Sequence, residues 1–210
     1  MSESELRQEL EAAARLLHAR GLVAAYEGNL SARLSPVGTS HHPARSLMLC
    51  SPARCCKGEL RARDFLRLDE QGRPSGGGNP STEVELHLGI YRHLPEAVAV
   101  VHAHPPHATA FACTAEGLAP LLVPELHLLL GGPVPLAPYA PPGSPELFAS
   151  LRPWLGRSPV ILLANHGAVA ISTRSARDAV HLLDQVEQVA RLTWLARQLG
   201  SLRLLPGTAP

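Results

Sequence analysis

Apolar positions along this chain fall into short, sharply bounded sets. From about Glu5 to Arg20, Leu6, Leu10, Ala13, Ala14 and Leu17 recur at helical spacing, and Gly21 follows where a helix-ending residue belongs. That segment is predicted as an amphipathic helix. Strand-like pieces are expected at 30–34, 47–50 and 65–68, separated by the breakers Ser35-Pro36, Ser51-Pro52 and Gly72-Arg73-Pro74. Gly76-Gly77-Gly78-Asn79-Pro80 reads as a loop. Ser81-Thr82-Glu83-Val84-Glu85 then opens a second helix, with Thr82 and Glu85 spaced as a capping box. That helix should run to about His93 and stop at Pro95.

The apolar run 97–102 predicts a buried central strand. Pro105-Pro106 ends it, and a helix is expected through Phe111 and Cys113. Eight prolines between Pro120 and Pro145 predict extended and turn structure with short strands rather than helices. Ser144 as N-cap and Pro145 at the first helical position start another helix, closed by Gly156. A second buried strand is expected at 160–164, ending in Asn165-His166-Gly167. Ser175 caps a long helix to Leu199, stopped by Gly200. With no internal repeat and no dividing linker, residues 1–210 read as one α/β domain, a sheet covered by helices on both faces, with 206–210 a loose tail.

The 210 residues are ample for a real core, and a net charge of +1 leaves no basic stripe for nucleic acid or membrane headgroups. No apolar run could cross a bilayer, the first residues are acidic and polar rather than signal-like, and four cysteines are too few for a disulfide scaffold. A cytoplasmic protein without nucleic-acid or membrane partners is expected. Lys57 is the only lysine among 19 basic side chains, so a Schiff-base mechanism would have to use it. Its polar, turn-like setting, Cys55-Cys56-Lys57-Gly58, predicts a solvated surface side chain.

Eleven histidines invite a search for a shared metal. His102 and His104, two apart at a strand end, project from one face and so point the same way. His166 also follows a buried strand. Three neutral imidazoles with an open position are the plan of a catalytic zinc site. A metallo-hydrolase would need an aspartate where Pro106 sits, and a cupin a glutamate soon after His104, where none occurs before Glu116. His41, His42, His87 and His107 are expected not to be ligands. Two loops could seat a phosphate on backbone N–H groups: Ser81-Thr82 at a helix start, and Gly28-Asn29, where glycine permits close approach.

Together, Gly28-Asn29-Leu30-Ser31-Ala32-Arg33, Ser81-Thr82-Glu83, Val100-Val101-His102-Ala103-His104, Pro138-Tyr139-Ala140-Pro141 and Leu163-Ala164-Asn165-His166-Gly167 resemble the class II aldolase/adducin family from about Leu6 to Leu199. The resemblance implies an α/β/α fold with a central, mostly antiparallel sheet. It implies one Zn²⁺ per subunit held by His102, His104 and His166, with Glu83 as catalytic acid/base and Gly28, Asn29, Ser81 and Thr82 lining the phosphate pocket. A homotetramer with active sites at subunit interfaces is implied as well. The expected reaction is zinc-dependent retro-aldol cleavage of a ketose 1-phosphate such as L-fuculose 1-phosphate to dihydroxyacetone phosphate and an aldehyde. Such cleavage leaves an enediolate, which zinc stabilises without a lysine. Alternatives are a methylthioribulose-1-phosphate dehydratase and, in another class, a non-enzymatic adducin-like binding module. The family's 4-epimerase branch differs in carrying an aspartate ligand where this chain has Glu83.

Two departures from the family pattern stand out. Where its aldolases carry Thr-Gly or Ser-Gly in the phosphate loop, this chain reads Ser51-Pro52-Ala53-Arg54, so Arg54 could supply charge in place of a hydroxyl. The family tyrosine donated across a subunit boundary is missing from Pro124-Glu125-Leu126-His127, which leaves Glu125 or His127 to replace it.

Overall fold

A computed structural model describes residues 1–34, 46–118, 122–130, 132–203 and 205. His41, His42, the Ser35-Pro36 breaker, Pro120 and the tail 206–210 therefore lie outside the described residues. The chain runs α1 (Glu3–Ala19), β1 (Asn29–Arg33), β2 (Ser46–Cys50), β3 (Leu66–Asp69), α2 (Val84–His93), β4 (Ala99–Ala103), α3 (Pro106–Ala112), α4 (Pro124–Leu130), β5 (Leu136–Ala137), α5 (Pro145–Leu151), β6 (Val160–Leu163), β7 (Gly167–Ser172) and α6 (Ala176–Leu199). The strands form one seven-stranded sheet in the order β3-β2-β1-β4-β7-β6-β5, antiparallel throughout except for β5 beside β6. A sheet between helices agrees with the residue pattern, and its mostly antiparallel order is the one the resemblance implies.

Burial follows the apolar pattern. The five stripe residues of α1 are buried, and Ser2 and Glu5 close a capping box at its start. On one face of the sheet, α1 and α6 pack Leu6, Leu10, Val180 and Val186 against Val101 and Ala170. On the other, α2 and α5 pack Leu88, Ile90, Leu147 and Leu151 against Val100, Val169 and Ile171. Neighbouring residues of β4 thus feed opposite cores, as a period of two requires. Covering both faces buries β4, β6 and β7 along their whole length. Among the described residues, no helix is long and apolar enough to cross a membrane.

Four local expectations are corrected. The proline-rich stretch contains α4, because Pro124 occupies its first position, where a missing N–H costs nothing. Gly167–Ser172, not foreseen as a strand, is β7, and residues 164–166 are a tight hairpin turn. Ala168-Val169-Ala170-Ile171 alternates in size rather than polarity, so the usual half-buried signature is absent. The Thr82–Glu85 capping box does not form: α2 begins at Val84 with Glu83 as N-cap, and its cap makes no side-chain hydrogen bond. Instead the Glu83 N–H donates to Ser81 Oγ at 3.3 Å, and the Glu83 carboxylate turns inward. Finally, Lys57 is only 1% exposed.

Candidate metal centre and active site

Three neighbouring strands bring the site together. In the β1–β4 register Asn29 lies opposite His102, and in the β4–β7 register Val169 lies opposite His102. His102 is fully buried, and its Nδ1 donates to the Ala168 carbonyl at 3.0 Å, which turns the Nε2 lone pair toward His104 and Glu83. His104 lies just past the end of β4, with its Nε2 3.0 Å from His102 Nε2. His166 arrives from the β6–β7 turn, where Asn165 adopts φ 55°, and candidate ligand atoms of all three histidines lie within 4.8 Å of one another. Two glycines permit this convergence. A Cβ on Gly167 would meet the Ala103 carbonyl at 2.4 Å, and one on Gly28 the His102 carbonyl at 2.7 Å.

The electrostatics suit a cation. Burial, reinforced by His104 and His166, holds His102 well below the usual histidine range, and burial likewise lowers His166. Both imidazoles are therefore neutral donors near pH 7. Two imidazole nitrogens 3.0 Å apart need a proton or a metal between them. Nitrogen ligands of a tetrahedral zinc, about 2.0–2.1 Å from the ion, sit about 3.3 Å apart, so the residues present fit a zinc ion.

Glu83 closes the group, 7% exposed, with Oε2 3.3 Å from His102 Nε2 and Oε1 3.4 Å from His166 Nε2. Oε1 is buried without a hydrogen-bond partner, while Oε2 accepts from Asn29 Nδ2 at 2.8 Å. Behind Asn29 runs a chain that sequence reasoning missed. Asn29 Oδ1 accepts from His87 Nε2, His87 Nδ1 lies 2.7 Å from Ser31 Oγ, and Ser31 Oγ lies 2.9 Å from the Tyr91 hydroxyl. Burial pushes His87 down to about 3, so it stays neutral, and one tautomer lets every donor point toward Glu83. Ser31 lies two residues after Asn29, and His87 and Tyr91 are four apart on α2; that shared-face spacing was the available signal.

His104, His166 and Glu83 open onto a cavity of about 430 Å³, with His102 buried behind them, the size of a small phosphorylated sugar's site. Gly28, Asn29, Ser81 and Thr82 line it too, so the structure gathers every site residue expected from the sequence. The buried Asn29 amide is engaged with Glu83 and His87, however, which makes it a support for the carboxylate. His107 stands apart, paired with Glu187 at 2.7 Å.

The profile described as "Class II Aldolase and Adducin N-terminal domain" matches residues 8–194. The chain belongs to the class II aldolase/adducin family. It is 33% identical over 199 residues to a 3-oxo-tetronate 4-phosphate decarboxylase of Pectobacterium atrosepticum, covering 92% of this chain and 86% of that one. The crystal structure of YgbL from Klebsiella pneumoniae superposes with a TM-score of 0.84 at 31% identity, covering 99% of this chain and 96% of that one. An L-fuculose 1-phosphate aldolase superposes with a TM-score of 0.83 at 27% identity, covering 99% and 93%. Class II aldolases are metal-dependent lyases, and this member carries a histidine triad able to hold the metal. An enzyme, rather than an adducin-like binding module, is the outcome.

Proposed function

We propose that this class II aldolase is a zinc-dependent lyase that breaks a carbon–carbon bond next to the ketone of a sugar phosphate, leaving the enediolate of dihydroxyacetone phosphate. The observation that carries this reading is the buried Glu83 carboxylate, one oxygen held by Asn29 and the other free, within 3.4 Å of His102 and His166. His102, His104 and His166 hold the metal, which supplies Lewis acidity to the developing negative charge. Glu83 Oε1 is placed to hand a proton to the carbon left behind, while the Asn29–His87–Ser31–Tyr91 chain fixes the carboxylate's orientation.

Two leaving groups reach that enediolate. Retro-aldol cleavage of a ketose 1-phosphate such as L-fuculose 1-phosphate releases an aldehyde, and the resemblance to the fuculose-phosphate aldolase structure favours it. Loss of CO2 from a 3-oxo-tetronate 4-phosphate leaves the same enediolate, and two observations favour this route for the present chain. The curated decarboxylase is 33% identical across 92% of the chain. Retro-aldol cleavage also requires a base for the hydroxyl proton of the departing aldehyde, for which Glu125 or His127 would have to stand in for the family tyrosine; CO2 leaves without one. Decarboxylation is therefore the first reading and aldol cleavage the second.

The deciding assay gives metal-replete protein 3-oxo-tetronate 4-phosphate and a panel of ketose 1-phosphates, and follows dihydroxyacetone phosphate together with CO2 or aldehyde. Dihydroxyacetone phosphate with CO2 establishes the first reading, and with aldehyde the second. Water loss without carbon–carbon cleavage would overturn both in favour of a dehydratase. The reading extends to a cytoplasmic homotetramer with the site at a subunit interface; light scattering showing a monomer would overturn that part.

A further inference from the structure

Lys57 is the anomaly in the cavity wall. It is 1% exposed, and its Nζ donates to Cys55 O at 2.9 Å and Tyr26 O at 3.3 Å and also meets the Cys55 thiol. The side chain lines the cavity all the same. Among the described residues no carboxylate is ion-paired with it, and its electrostatic neighbours are Cys50, Cys55, Cys56 and the neutral His102. Burial pushes the Cys50 thiol up to about 12 and raises that of Cys55, so neither supplies a negative charge near neutrality. A buried cation without a counter-charge is costly, and its own burial lowers Lys57 from the usual lysine range. An apolar side chain at this position would pack without that penalty.

A second cation lines the same cavity. Arg54 is exposed and sits at φ 53°, the left-handed backbone conformation that a glycine adopts freely. Loop 52–57 thus brings two positive side chains to the cavity that Gly28, Ser81, Thr82, Glu83, His104 and His166 also line.

We infer that Lys57 is the buried counter-charge for the substrate's phosphate, with Arg54 as its partner at the cavity mouth, so that this chain binds the phosphate by charge as well as by backbone N–H groups. The inference rests on the lyase reading for the identity of the substrate, but the seat itself is testable without turnover. Tying loop 52–57 to the Tyr26 carbonyl holds the ammonium beside the Gly28 turn before any ligand arrives, a preorganised arrangement.

Because Lys57 is the only lysine, protein labelled with ¹³C at lysine Cε gives one side-chain NMR signal. Titrating the metal-loaded protein with inorganic phosphate should shift that signal saturably, and malonate of similar charge should shift it far less. In parallel, Lys57→Met should keep its metal, melt no lower than wild type without phosphate, and bind phosphate about 30-fold or more weakly, as expected for truncating one partner of a buried charge pair. An unmoved signal at saturating phosphate, a stronger response to malonate, or undiminished phosphate binding by Lys57→Met would each overturn the inference. If Lys57 were merely a structural brace between loops, Lys57→Met would melt lower and bind phosphate normally. Failure of the lyase reading would appear separately, as absence of carbon–carbon cleavage with the phosphate titration intact.

Discussion

Two parts of the site are built by different means. In one, His102 is locked in β4 by sheet register, His104 lies one residue past β4 and His166 one residue before β7. In the other, Lys57 and Arg54 stand on an irregular loop, and a left-handed backbone and two lysine-to-carbonyl bonds do the positioning. The strand end sets donors within fractions of an ångström and suits chemistry, where small displacements are expensive. The loop end sets charge, which acts over longer distances and tolerates substitution.

Disruption should therefore grade from the rigid end outward. The largest effect is expected from His104→Ala, which removes one of three metal ligands; metal content after dialysis and turnover should both collapse, and retention of a full metal equivalent would break the site assignment. Next comes Glu83→Gln, which keeps size and most hydrogen bonds but removes the carboxylate's proton chemistry. Turnover should fall about 10²–10⁴-fold with metal and phosphate affinity retained. Loss of metal in that variant would make Glu83 chiefly a ligand, and near-normal kcat would make it only a helix-start carboxylate.

A smaller change, about 10–100-fold in kcat at unchanged metal content, is expected from His87→Leu, the scale typical of partners behind a metal site. If KM rises while kcat holds, the Tyr91–Ser31–His87–Asn29 chain does not act through Glu83. A different readout is the pH dependence of metal-free stability. His87 is held at about 3 when folded against about 6.5 unfolded, so only the unfolded chain takes up a proton between those values. Its contribution is full above about pH 6.5 and declines on acidification toward 3, with a slope of up to about 1.4 kcal/mol per pH unit. His87→Leu should flatten the fall in Tm over that range, and an unchanged slope would remove His87 as a buried neutral group.

Legibility followed the same divide. The α1 stripe, the β4 run and the α6 cap could be read directly, because burial of one face imposes a period on the residues. The His-x-His pair was readable for the same reason. β7 was missed because a strand buried on both faces shows no polar alternation. The Thr82–Glu85 cap was wrongly expected because the local pattern carries no information about Glu83 being drawn inward by Asn29. Lys57 was taken for a surface residue because a loop has no period from which burial can be inferred.

The sequence by itself determined most of the helices and strands and put His102 and His104 on one face, while the resemblance to the family added Glu83 to the three histidines. The former follow from local geometry, with neighbours on one strand or one helix turn. Tertiary structure alone decided that Asn29 serves Glu83, that His87, Ser31 and Tyr91 line up behind it, and that the only lysine is buried at the cavity wall. Each of these joins segments tens of residues apart, and such contacts exist only once the sheet's register and the packing of α2 on its face have been set.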